Sequence, residues 1–173
     1  MNNTAKLHLT KNWVTALFVY YFIVFLFGNT VALIALVPKL VFDKVPSILS
    51  LAIAGSVGMS CLGSSIFYIR KLYKSCIRGD LAISGSSEWY LARLGTVIYY
   101  VARPLFATGF SLLVVIGLLS GFTLASKQVV ELNKTFVYMT MFLSFYVGFL
   151  TGRFVKNLEN SGNRVLSRVI STE

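Results

Sequence analysis

Four stretches of the chain are at once long, apolar and free of acidic residues: Trp13 to Val37, Ile48 to Ile69, Leu105 to Ala125 and Phe136 to Val155. Each holds roughly the 20 residues that a helix needs to cross a hydrocarbon core about 30 Å thick. An unpaired backbone amide in lipid is too costly for any open structure, so such segments read as helices. The expected fold is all-α: one polytopic domain over residues 1–173, a bundle of four transmembrane helices. Composition agrees, with 56% apolar and 13% charged residues and a mean hydropathy of +0.74, outside the habits of soluble domains.

The first stretch follows Lys6 and Lys11, as a signal peptide's apolar region would. It is far longer than the roughly 7 to 15 residues of such a region, and Pro38 with Lys39 closes it. It reads as a retained span. Phe18, Tyr20, Tyr21, Phe22, Phe25 and Phe27 give it a lipid-facing composition, with Asn29 its one strongly polar interior residue. The second stretch, with Gly55, Ser56, Gly58, Ser60, Gly63, Ser64 and Ser65, is too small and polar to face lipid all round. It should be buried among helices.

Orientation follows from where the 16 Lys and Arg fall against 6 Asp and Glu. Lys39 and Lys44 in the first loop and Lys127 and Lys134 in the third make four on one side. The other side carries the remaining twelve: Lys6, Lys11, six from Arg70 to Arg103, then Arg153, Lys156, Arg164 and Arg168. Basic residues mark the cytoplasmic side, so both termini, the loop 70–104 and the tail 156–173 are expected there. In a membrane protein this excess reports topology, and no direct nucleic-acid contact is expected. The short outer loops point to a bacterial inner membrane.

The loop 70–104 divides at Gly79-Asp80 and at Ser84 to Ser87. The second helix should continue outward, placing Arg70, Lys74 and Arg78 four apart on one face, with Lys71 beside them. Ser87 can cap a new helix with Glu88 in its first turn. Trp89, Tyr90, Tyr99 and Tyr100 with Arg93 and Arg103 suit an interfacial helix whose guanidiniums reach lipid phosphate, and Pro104 predicts a kink into the third span. In the tail, Val165, Leu166, Val169 and Ile170 form one face and Arg164 and Arg168 another, a short amphipathic segment.

Small residues recur at intervals of four: Ala52, Ser56, Ser60 and Ser64; Gly117 and Gly121; Ser144, Gly148 and Gly152. Such ladders let helices approach closely where lipid supplies no hydrophobic drive. They predict packing within the bundle or contacts between copies, and a homo-oligomer, dimer or tetramer, is expected. Arg70, Lys71, Lys74, Arg78, Arg153 and Lys156 are the candidate contacts for anionic lipid or a cytoplasmic protein.

Catalytic and cofactor signatures are not seen. No Asp, Glu or His lies within a span for ion coupling, and span serines have no nearby base. His8 has no companion ligands, and no cofactor is expected. Cys61 and Cys76 are expected unpaired, one in a span and one on the cytoplasmic side. Asn2 and Asn133 open Asn-x-Thr triplets to which no function is attached. Three readings share this fold: a sensor or scaffold recruiting a cytoplasmic effector, a small oligomeric channel lined by span two, and an immunity or inhibitor protein that occludes another membrane protein.

The span plan, the inward ends and the basic loop after Ile66-Phe67-Tyr68-Ile69-Arg70-Lys71 resemble the membrane subunit of the Kiwa bacterial anti-phage system. The resemblance implies a tetrameric membrane sensor of phage attack that works with a cytoplasmic DNA-binding effector. Four-span colicin immunity proteins share the outline, and no functional residue is carried over from either.

Overall fold

The computed structural model describes residues 11–42, 46–78, 87–126 and 132–170, with side chains for all of these except Lys11, Leu40, Arg78, 87–93, 125–126 and 154–170. The described chain is all helical: α1 (Lys11–Leu36), a short 3-10 turn at Pro38–Leu40, α2 (Ile48–Arg78), α3 (Ser87–Ser126) and α4 (Lys134–Ile170). All four long helices are long and apolar enough to cross a membrane.

Local chemistry starts two of them. Ser47 precedes α2, and its hydroxyl accepts from the Ser50 amide at 3.2 Å. Asn133 precedes α4, and its side-chain oxygen accepts from the Phe136 amide at 3.2 Å. Each serves an amide of the first turn that has no partner inside its helix. Pro38 opens the 3-10 turn, where its missing N–H costs nothing.

The helices run alternately up and down, and α2 is the central one, packing on α1, α3 and α4. One end of the bundle is filled by Ala32, Ala35, Leu51, Ala52, Val115, Phe136, Val137 and Met141. The other end is filled by Leu17, Tyr21, Tyr68, Leu72 and Tyr100. We call the second the basic end, because Arg70, Lys71, Lys74, Arg103 and Arg153 lie there.

Glycines set the close crossings of α2. A Cβ on Gly58 would lie 2.8 Å from both the Gly28 carbonyl oxygen and the Ala32 amide nitrogen, so α1 and α2 meet backbone to backbone. Against α4 the contact is reciprocal: Gly63 abuts the Phe145 carbonyl and the Phe149 amide nitrogen, and Gly148 abuts the Ser60 backbone. Ser56, Ser60 and Ser64 are fully buried, as is Ser144. Only small residues permit this approach.

Phe22, Ile23, Phe27 and Leu33 on α1 and Leu105, Leu113, Ile116 and Leu124 on α3 are exposed. In water so large an apolar surface would aggregate; it is the surface that lipid would cover.

Candidate functional site

Pro104 sits inside α3. It has no N–H to give the carbonyl four residues earlier, that of Tyr100. That carbonyl is taken by α1: the buried Tyr21 hydroxyl donates to it, and the Tyr20 hydroxyl donates to the next carbonyl, Val101, at 3.1 Å. The helix therefore continues through the proline as a single 40-residue element.

A ring cluster grows from this latch. Tyr21 stacks on Tyr68 at 5.6 Å between centroids, and Tyr68 meets Tyr100 edge-on at 5.7 Å. The Arg103 guanidinium lies 3.9 Å over the Tyr99 ring. Lys71 Nζ lies 5.4 to 5.9 Å from the Tyr99, Tyr100 and Tyr68 centroids, within reach of cation–π attraction. Arg103 is only 4% exposed, and its Nε and Nη1 are buried without a hydrogen-bond partner, as are the Tyr68 and Tyr100 hydroxyls.

For two of its residues the interfacial reading of α3 is corrected, while Tyr99 is exposed. Tyr100 and Arg103 do not reach outward to headgroups; they are buried in the bundle. One helix, α3, carries both on the face turned to α1 and α2. Glu88, Trp89, Tyr90 and Arg93 have side chains outside those described.

Beside the cluster, α2 and α4 form an open cavity of about 270 Å³ whose described lining is Phe67, Arg70, Lys71, Lys74, Phe149, Leu150 and Arg153. Four cations thus converge on one space from two helices. Phe67 and Phe149 form its aromatic wall, edge to face at 5.5 Å. Arg70 lies about 33 Å along α2 from Ile48, and Arg153 about 29 Å along α4 from Lys134. Both positions match the edge of a hydrocarbon core about 30 Å thick.

The other sequence candidates separate. Arg78 and Lys156 lie on α2 and α4 with side chains outside those described, as do Arg164, Val165, Leu166, Arg168, Val169 and Ile170 of the tail. Gly152 is covered by the Tyr68 hydroxyl, 2.7 Å from where its Cβ would stand. Gly117 and Gly121 are exposed, and a Cβ on either would meet nothing within 4 Å. The ladder of α3 therefore packs on nothing within the described chain. Sequence reasoning missed Gly28 and the Tyr20–Tyr21 latch. Pro104 was the available signal for the latch, since it leaves a carbonyl that some donor must find.

Two further hollows are mainly apolar. One of about 590 Å³ runs between α3 and α4, lined by Phe110, Leu113, Val114, Leu143, Tyr146, Val147, Leu150 and Thr151. Leu150 lines this groove and the basic cavity alike. The other, about 410 Å³, lies at the opposite end beside Pro38, Lys39, Ile48 and Lys134. Cys61 is buried and Cys76 exposed, both as free thiols. Among the described residues no group of His, Cys, Asp and Glu could hold a metal ion. Comparison with protein-family models, with characterised proteins and with solved structures finds no match in any of the three.

Proposed function

We propose that the chain is a non-enzymatic membrane sensor or scaffold that assembles with copies of itself and holds a soluble effector at its basic end, on the cytoplasmic side. One observation carries this reading: α2, α3 and α4 are longer than a bilayer crossing needs. With 31, 40 and 37 residues they reach about 46, 60 and 55 Å, against a core of about 30 Å. Their hairpin ends meet near Ile48 and Lys134, so the surplus projects at the basic end. By the positive-inside rule that end faces the cytoplasm. A protruding helical platform crowned by Arg and Lys suits an acidic protein surface.

Self-assembly is supported by α3. Its Gly117 and Gly121 stand open to any helix that approaches, and backbones could meet there as closely as α2 and α4 do. We favour a tetramer in a bacterial inner membrane, and the resemblance to Kiwa makes anti-phage defence the setting in which we propose the recruitment works. Full burial of Ser56, Ser60 and Ser64 weighs against a pore lined by α2. The apolar groove between α3 and α4 favours, as the second reading, lateral packing on another membrane protein in the manner of an immunity protein.

The test is a pull-down of the tagged protein in mild detergent, with mass spectrometry of what is bound and the mass of the intact complex. A stoichiometric soluble partner on a homo-oligomer is expected. It should be lost from Arg70→Glu with Lys74→Glu while insertion and assembly persist. A clean homo-oligomer without a partner would overturn the recruitment.

A further inference from the structure

We propose that the basic cavity between α2 and α4 is a binding site for the phosphate headgroup of an anionic phospholipid, with an acyl chain running along the apolar groove beside Leu150. The proposal rests on the scaffold reading only in placing this end at the cytoplasmic leaflet, and it names the ligand of the end where that reading docks an effector.

The charge inventory asks for an anion. Arg70, Lys71, Lys74 and Arg153 line one space of about 270 Å³; their mutual repulsion is screened where they are exposed, and an anion that joins them relieves it further. Arg103 adds a fifth cation close by, bridged to the cavity by Lys71, which lines the cavity and also overlies the tyrosine rings. Its Nε and Nη1 make no hydrogen bond although the residue is almost fully buried. Among the described residues its partner is the Tyr99 ring and no carboxylate meets it, and a buried cation without a counter-charge is costly.

Depth and shape choose the anion. Arg70 and Arg153 stand at the edge of the hydrocarbon core, where lipid phosphates lie, and Arg guanidinium forks fit phosphate oxygens in pairs. The same cavity has Phe67, Phe149 and Leu150 for its apolar side. Leu150 continues into the 590 Å³ groove, whose wall from Phe110 and Leu113 to Leu143 is almost wholly apolar and open to the side. A free phosphate would use the charges and leave that groove idle. A phospholipid uses both.

The experiment measures lipid retention by the intact protein in neutral detergent, by native mass spectrometry and by titration in nanodiscs. Phosphatidylglycerol, phosphatidylcholine and inorganic phosphate are the three probes. Phosphatidylglycerol should bind saturably and survive delipidation, and phosphatidylcholine should not. Arg70→Gln with Arg153→Gln should weaken binding about thirty-fold, as expected for two headgroup charges. Lys39→Gln with Lys134→Gln, the same charge change at the opposite end, should leave it unaltered. Raising salt should weaken binding to the native protein, an arm that needs no variant.

Equal retention of phosphatidylcholine, equal losses in the two double variants, or binding indifferent to salt would each overturn the site. Complete competition by inorganic phosphate would overturn the lipid as its source. None of these readouts involves the soluble partner, so failure here and failure of the pull-down are separate results.

Discussion

Tyr21→Phe removes one oxygen atom and nothing else from the centre of the ring cluster. The ring keeps its stack on Tyr68, but the Tyr100 carbonyl loses the hydroxyl that serves it in place of the amide that Pro104 lacks. A buried acceptor left without a partner costs about 1 to 3 kcal/mol, and hydrogen bonds between membrane helices average about 0.6 kcal/mol and reach about 1.7. The expected loss is therefore about 1 to 2 kcal/mol. Pro104→Ala supplies the missing amide from within α3. In that background Tyr21→Phe should cost roughly 0.5 kcal/mol or less, a coupling of about 1 kcal/mol between residues on different helices. The assay is equilibrium unfolding in mixed micelles, with SDS titrated into a mild detergent, for the native protein, both single variants and the double variant. Equal cost of Tyr21→Phe in the two backgrounds, within about 0.3 kcal/mol, would refute the latch, because the hydroxyl would then not be standing in for the missing amide.

Gly148→Ala should destabilise by about 1 to 3 kcal/mol in the same assay, since its methyl would be driven into the Ser60 backbone. Gly121→Ala, with open space around it, should change monomer stability by no more than about 0.5 kcal/mol. Gly117→Leu with Gly121→Leu should leave the monomer folded and reduce the mass of the detergent-solubilised assembly; an unchanged mass would remove α3 from the interface. Cys76 should react with maleimide in the native protein while Cys61 reacts only after unfolding. In intact cells a membrane-impermeant maleimide should miss Cys76, and labelling there would reverse the proposed orientation.

The spans were legible because their cause is local. An apolar run of 20 residues has to satisfy its own backbone wherever its neighbours are, so helix follows from the run itself. The helices extend past the runs, to Arg78 in α2 and to Ile170 in α4, because hydropathy stops at the first charges while helix propensity does not. The basic residues were legible as a group, yet only folding brings Arg153 from α4 onto the same cavity as Arg70, Lys71 and Lys74.

What sequence by itself determined is the set of four apolar helices, the burial expected of the serine- and glycine-rich α2, and the excess of charge at one end. Tertiary structure alone decided the fate of residues that look alike in the chain. Gly148 and Gly121 both belong to four-residue ladders, but one presses on a neighbouring backbone and the other on nothing. Arg103 carries the same guanidinium as Arg70, yet it is buried over a tyrosine ring while Arg70 stays exposed. Spacing along one helix fixes which face a residue occupies. Which helix meets that face depends on three others, and no pattern within a single span encodes it.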